Sequence, residues 1–213
     1  MDIVLSISGL MLLGPLLALV AWLIRRESPG PAIYRQIRLG RGGREFAILK
    51  LRTMRADAEV PSGPTWAVEG DPRCTRLGAV LRRWGIDELP QLWNVLKGDM
   101  SLVGPRPERP EFHACFQMHL PEYDRRLVVR GGVVGLAQVR GWRGDTSIEQ
   151  RLRCDLEYIE GWSIGTDLLV LLLIPHALLR PPTRYRELPP SMATANLRKP
   201  ERILQGGFLN NGG

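Results

Sequence analysis

Residues 3–24 contain no charged side chain and are almost entirely apolar. A helix of about 22 residues is roughly 33 Å long, which is enough to cross the hydrocarbon core of a bilayer. A signal peptide fits poorly, because only Asp2 and the terminal amine precede the run and no small-residue cleavage site follows it. Arg25 and Arg26 follow instead, which predicts that the downstream chain lies on the cytoplasmic side.

Gly14 and Pro15 lie near the middle of this apolar run. Proline removes a backbone donor and clashes with the preceding helical turn, so a kink or a break is expected there. Two structures are compatible with this pattern: a kinked helix that spans the membrane, and a re-entrant helix that enters and leaves on one face. Length alone favours the spanning helix.

The chain of 213 residues suits one domain with a membrane element, and its net charge of +7 favours partners that carry phosphate. Nucleic acid, anionic lipid and a nucleotide substrate all satisfy this condition. The sequence has no aromatic-studded basic run and no nucleic-acid motif, so we expect no nucleic-acid partner. Three cysteines, far apart and in no CxxC pair, indicate neither a disulfide framework nor a zinc site.

The remaining pattern predicts an α+β fold that is helix-dominated with a small sheet. Residues 32–38 and 44–50 alternate as strands around a glycine-rich hairpin loop, whereas residues 131–135 are predicted as a loop that leads to a strand at 136–139. Residues 75–84 carry an apolar stripe at helical spacing and predict an amphipathic helix, on the core or at a membrane surface. Further helices are predicted at 87–96, 111–120, 147–161 and 168–179.

Asp87 and Glu88 begin the predicted helix at 87–96. Taken alone they favour a simple interpretation, in which Asp87 is the N-cap. A functional interpretation stays open, because adjacent carboxylates can bind Mg²⁺ and a carboxylate can attack phosphorus to give an acyl phosphate.

Basic residues occur in short segments on both sides of this pair. A diphosphate needs its charge neutralised, usually by arginine or Mg²⁺, although a solvated basic face is equally compatible with the pattern. Arg106 is the most specific candidate, since Pro105 and Pro107 stiffen its loop. The full set is Lys50, Arg52, Arg82, Arg83, Lys97 and Arg106.

The stretch at 82–108, RRWGIDELPQLWNVLKGDMSLVGPRPE, resembles the signature of the bacterial sugar transferases, the monotopic phosphoglycosyl transferases. Other segments are similar to the family in the same order, and the resemblance runs from about residue 2 to 180. They are SPGP at 28–31, KLRTM at 50–54, DPR at 71–73, GLAQV at 135–139 and DLEY at 155–158, followed by Trp162 and Ser163.

The resemblance implies three parts: a re-entrant anchor at 1–26 broken at Pro15, a cytoplasmic transferase domain at 27–180, and a tail at 181–213 without an assigned role. It places the helix at 75–84 at the membrane interface. It also implies that Asp87 attacks the β-phosphate of a nucleotide sugar while Asp87 and Glu88 hold Mg²⁺. The substrate-binding residues that it implies are Lys50, Arg52, Arg82 and Arg106.

The implied reaction transfers a hexose 1-phosphate from a UDP-sugar to undecaprenyl phosphate at the inner membrane and releases UMP. Residues 141–145 and 157–163 are similar to the branch that uses glucose or galactose and often serves exopolysaccharide assembly. The chain departs from the family at Gly131, where proline is usual, and it lacks the basic residues before Asp2. A homo-oligomer is compatible with the sequence. The alternatives are a membrane-tethered basic binding module and an inactive scaffold.

Overall fold

The computed structural model describes residues 1–55, 58, 71–144 and 146–179. The predicted tail at 181–213, most of the predicted loop at 56–73 and Asp145 lie outside these residues. Within them the helix-dominated α+β class is confirmed. The helices are α1 Asp2–Glu27, α2 Arg76–Trp84, α3 Gln91–Leu96, α4 Pro110–His119, α5 Leu136–Val139, α6 Ile148–Glu160 and α7 Ile164–Leu179. The strands are β1 Ile33–Leu39, β2 Glu45–Leu51, β3 Met100–Val103 and β4 Gly131–Val134.

Helix α1 is the only helix among the described residues that is long and apolar enough to cross a membrane. It continues through Pro15 as one element, and most of its apolar side chains are exposed. At its start, Ser101 Oγ donates a 2.7 Å hydrogen bond to Asp2 Oδ2. At its end, Glu27 Oε1 accepts from the Leu77 amide at 3.1 Å. Both ends of α1 therefore contact the rest of the described residues.

Strands β1 and β2 form the predicted hairpin, antiparallel with Ile33 opposite Leu51 and Leu39 opposite Glu45. Helix α3 packs against β2 through Asn94, whose Oδ1 accepts from the Leu49 amide at 3.0 Å. Asn94 Nδ2 donates to the Ala47 carbonyl at 2.8 Å. These bonds fix the strand that carries Lys50 to the helix that follows the Asp87–Glu88 pair.

Strands β3 and β4 form a separate parallel pair, which corrects the sequence prediction for this region. Residues 131–134 were predicted as a loop but form a strand, and residues 136–139 were predicted as a strand but form α5. The pairing depends on glycine: a Cβ at Gly132 would lie 2.2 Å from the Gly104 nitrogen. Helix α5 begins where Gln138 Oε1 accepts from the Gly135 amide at 2.7 Å.

Two of the predicted helices are confirmed, and the structure shows a side-chain cap at the start of each. Thr75 Oγ1 accepts from the Gly78 amide at 3.0 Å at the start of α2, and Ser147 Oγ accepts from the Gln150 amide at 3.2 Å at the start of α6. The prediction that Asp87 caps a helix over 87–96 is wrong. Residues 86–88 form a 3-10 turn, and α3 begins only at Gln91.

The main core lies between the two strand pairs, α3, α5, α6 and α7. Its buried members include Ile48, Val95, Met100, Val103 and Val170. Outside the core, α2 exposes Val80 and Trp84, and α7 exposes Ile164, Leu168, Leu169 and Leu172. Several apolar faces besides α1 are thus left uncovered by the described residues.

Candidate active site

A cluster of opposite charges surrounds Glu88, in the 3-10 turn between α2 and α3. Lys50, on β2, donates from Nζ to Glu88 Oε1 at 3.0 Å. Arg106, on the loop between β3 and α4, approaches as a fork: Nη1 donates to Oε2 at 3.0 Å, and Nη2 donates to Oε1. Three of the predicted site residues, distant in sequence, are therefore brought together by β2, the 3-10 turn and the loop after β3.

Asp87 lies beside this cluster and behaves differently. It is 7% exposed, yet no hydrogen bond or ion pair holds its carboxylate among the described residues. Lys50, Arg106 and Arg82 are close enough to influence its pKa without contacting it. The Asp87 oxygens are therefore free to meet a ligand.

The two adjacent carboxyl groups have opposite pKa shifts. Burial raises the pKa of Asp87, and the charge of Glu88 raises it further. Burial also opposes ionisation of Glu88, but the charges and hydrogen bonds of Arg106 and Lys50 outweigh it and hold the pKa of Glu88 well below its ordinary value. The turn thus presents one carboxyl group with a lowered pKa and one with a raised pKa.

Arg82 extends from α2 toward the same site. Its Nε donates to Thr53 Oγ1 at 2.8 Å, and the structure gives its terminal nitrogens no partner within the described residues. A nearby acid, Asp71, is already paired with Arg73 at 2.6 Å, which lowers the pKa of Asp71 to about 2. The charge of Arg82 is thereby left available for an anionic ligand.

Arg52 does not join the Glu88 cluster. It is buried, and its guanidinium donates to the Pro29 carbonyl and the Ser28 carbonyl, both at 2.7 Å, and to Ser28 Oγ at 3.0 Å. These bonds fix the chain just after α1. Arg83 and Lys97 are exposed, so they also lie outside the cluster.

Sequence reasoning missed Arg38, at the end of β1. Its Nη1 donates to Glu108 Oε1 at 2.9 Å and to the Pro107 carbonyl at 3.1 Å, so it holds the loop that carries Arg106. Its charge also contributes to lowering the pKa of Lys50, after burial. The position of Arg38 in a strand does not predict this role, because the loop that Arg38 holds lies about 70 residues further along the chain.

Asp87 and Glu88 are the candidate ligands for Mg²⁺. The described residues contain no cluster of three or more His, Cys, Asp or Glu that could form a metal cage. Mg²⁺ commonly uses only one or two carboxylates and completes its coordination with substrate phosphate and water. Within the described residues the Asp87 oxygens accept no hydrogen bond, and Glu88 Oε2, which accepts only from Arg106, keeps a second lone pair, so the pair fits an ion of this kind.

Comparisons with known proteins identify the family of the chain. The sequence matches the bacterial sugar transferase family over residues 1–180. The UDP-glucose:undecaprenyl-phosphate glucose-1-phosphate transferase of Caulobacter vibrioides is 47% identical over 189 residues, which cover 87% of this chain and 70% of that protein. The putative undecaprenyl-phosphate N-acetylgalactosaminyl 1-phosphate transferase of Bacillus subtilis is 55% identical over 127 residues, covering 60% of this chain and 70% of the relative. A protein of Escherichia coli K12 with the same name as the Caulobacter one is 41% identical, over 81% of this chain and 38% of its own length.

Proposed function

Since the chain belongs to the bacterial sugar transferase family, we propose that it transfers a sugar 1-phosphate from a UDP-sugar to undecaprenyl phosphate and releases UMP. The observation that carries this proposal is the Asp87 carboxylate, which is buried, accepts no hydrogen bond within the described part of the chain and is adjacent to Glu88, which is paired with Lys50 and Arg106. A nucleophile on phosphorus needs these properties: free lone pairs, high basicity and nearby positive charge.

In the first step an Asp87 oxygen attacks the β-phosphorus of the UDP-sugar. The bond between that phosphorus and the oxygen bridging to the α-phosphate breaks, and the bridging oxygen leaves with the electron pair as part of UMP. The sugar phosphate remains on Asp87 as an acyl phosphate. Asp87 must be ionised to attack, so activity requires a pH above its raised pKa.

In the second step a phosphate oxygen of undecaprenyl phosphate attacks the same phosphorus. The bond to Asp87 breaks and its carboxylate is restored, while the lipid carries the sugar diphosphate. We assign to Arg106 and Arg82 the neutralisation of the phosphate oxygens during both displacements, and to Lys50 the task of holding Glu88; their positions beside Asp87 support this. Mg²⁺ held by Asp87 and Glu88 would supply further neutralisation of the diphosphate.

The contacts of α1 support a re-entrant anchor. Helix α1 is continuous through Pro15, and Asp2 at its start and Glu27 at its end both bond to the same domain. A helix that carried its start to the opposite membrane face would separate Asp2 from Ser101. We therefore place both ends, and the active site, on the cytoplasmic face that Arg25 and Arg26 predict. The exposed apolar faces of α2 and α7 would then lie at the lipid interface.

The names of the relatives favour glucose as the sugar, with N-acetylgalactosamine as the competitor. A panel of UDP-glucose, UDP-galactose and UDP-N-acetylgalactosamine with undecaprenyl phosphate and Mg²⁺ tests both the reaction and the sugar. We expect UMP release with UDP-glucose. Absence of UMP with every donor would refute the proposed function.

The covalent step has its own test. Incubation with donor labelled in the sugar and no acceptor should place the label on Asp87, located by digestion and mass spectrometry. Asp87→Asn should insert and fold normally, carry no label and form no product. Product formation by this variant, or an adduct on another side chain, would show that Asp87 is not the nucleophile.

A further inference from the structure

The loop that carries Arg106 is held at four consecutive carbonyl groups, each by a donor from another part of the chain. These bonds are Gly132 N to Pro105 O at 2.9 Å, Arg126 Nη2 to Arg106 O at 2.8 Å, Arg38 Nη1 to Pro107 O at 3.1 Å and Leu39 N to Glu108 O at 2.9 Å. Such a loop keeps little freedom, so the position of the Arg106 side chain is set by what holds its backbone.

The donor to the Arg106 carbonyl is a buried charge. Arg126, in the 3-10 helix at 121–128, is 7% exposed, and the Nη2 that donates to this carbonyl also donates to Asp155 Oδ2 at 2.6 Å. Its Nη1 donates to the Tyr123 hydroxyl at 2.6 Å, and its guanidinium lies over the Tyr123 ring. Asp155 is itself almost fully buried on α6. One guanidinium thus joins α6 to the loop of the active site.

Helix α6 contacts the same segment a second time. The Tyr158 hydroxyl shares its one proton between two acceptors, the Val103 carbonyl at 3.2 Å and Asp167 Oδ1 at 2.7 Å. Asp155 and Tyr158, one turn apart on α6, therefore act on the two ends of the segment from Val103 to Arg106. The proposed reaction itself leaves these residues without a role.

Resting on the proposed function, we propose that Arg126, oriented by Asp155, is a positioning residue that fixes the Arg106 backbone so that the Arg106 guanidinium meets Glu88 and the donor phosphate. A buried ion pair is a costly way to hold one carbonyl, because both charges must leave water. Because Asp155 and Tyr123 fix the buried Arg126 guanidinium, the Arg106 carbonyl that accepts from it is held in one orientation. Positioning is valuable here, since a displacement of about 1 Å can cost roughly 10²-fold in rate.

Replacement of Arg126 alone would leave Asp155 buried and unpaired, so the test uses the double variant Arg126→Met/Asp155→Leu. An apolar pair of similar volume can replace a buried ion pair with little loss of stability. We expect a melting temperature near that of the wild type but a fall in kcat/KM of at least about tenfold. Arg125→Met, on the same 3-10 helix but exposed, is the matched control and should keep wild-type activity.

A double-mutant cycle with Arg106→Ala separates positioning from general structural damage. If Arg126 acts through Arg106, the Arg126→Met/Asp155→Leu change should cost less than about twofold once Arg106 is alanine. An equal loss in both backgrounds would overturn the proposal.

Hydrogen exchange gives a readout that does not require turnover. Peptides covering residues 102–109 should exchange faster in Arg126→Met/Asp155→Leu than in Arg125→Met, because the loop has lost one of its four bonds. Equal exchange would overturn the proposal even if the transferase activity is established. A wild-type protein that releases no UMP would instead refute the proposed function, and the exchange comparison would still decide the role of Arg126.

Discussion

Asn94 gives the clearest quantitative prediction, because it is fully buried and each of its contacts is defined. Asn94→Ala removes the bonds to the Leu49 amide and the Ala47 carbonyl and a longer contact of 3.3 Å to Asp99. Each buried bond contributes about 1 kcal/mol, and a backbone partner left unpaired adds to the loss, so we expect about 3 kcal/mol of destabilisation. For a chain of this size that corresponds to a fall in melting temperature of about 6–12 °C.

Thermal unfolding in one detergent, followed by tryptophan fluorescence, measures this change, and Trp93 lies next to the substituted residue. Asp99→Asn is the matched control: it affects only the longest of the three contacts and an exposed ion pair with Lys97. Its melting temperature should fall by less than about 2 °C. Two results would show that the bonds from Asn94 to β2 do not stabilise the protein as proposed. One is a fall in the melting temperature of Asn94→Ala as small as that expected for Asp99→Asn, and the other is an equal fall in the two variants.

Two of the remaining predictions concern the site, and one concerns the packing of α2. Burial and the charge of Glu88 together raise the pKa of Asp87, and Glu88→Gln removes that charge. The acid limb of the kcat/KM profile should therefore move to lower pH in Glu88→Gln. An acid limb at the wild-type pH would contradict this prediction. Excess chelator should lower UMP release and added Mg²⁺ should restore it, whereas full turnover in chelator would exclude the metal. Gly78→Ala would place a Cβ 2.0 Å from the Thr53 carbonyl oxygen and should destabilise the protein by about 1–3 kcal/mol, while Gly165→Ala, which meets only ordinary contacts, should melt as the wild type does.

Local signals in the sequence were sufficient where an element is determined by its own residues. The hairpin of β1 and β2 follows from strands around the glycine-rich loop, and α2 and α6 begin at the Thr75 and Ser147 caps. The parallel pairing of β3 with β4 could not be predicted in this way. Gly131 and Gly132 are poor strand formers, and they become a strand because their bare backbone fits against Pro107 and Gly104, about 24 and 28 residues earlier.

The residues of the site also divide into those that the sequence identifies and those whose role depends on distant contacts. Asp87, Glu88, Lys50 and Arg106 were identified by residue type and by a family resemblance, and the structure places them together. The direction of a side chain is set by tertiary contacts, however. Arg52 is only two residues after Lys50, but the carbonyls at the end of α1 take up its guanidinium. Arg38 carries no motif, yet the fold brings it to the loop of Arg106.

Asp87 and Glu88 have different tasks, which explains why the site needs an acidic pair instead of a single aspartate. Lys50 and Arg106 must lie near the donor phosphate, but contact with the nucleophile would lower its basicity and occupy its oxygens. Glu88 accepts from both cations and holds them in place, so that Asp87 feels their charge without contacting either. Opposite pKa shifts in neighbouring carboxyl groups are typical of sites in which the two have different tasks. On this argument Glu88 organises the cations, and its removal should impair the position of Arg106 as well as the basicity of Asp87.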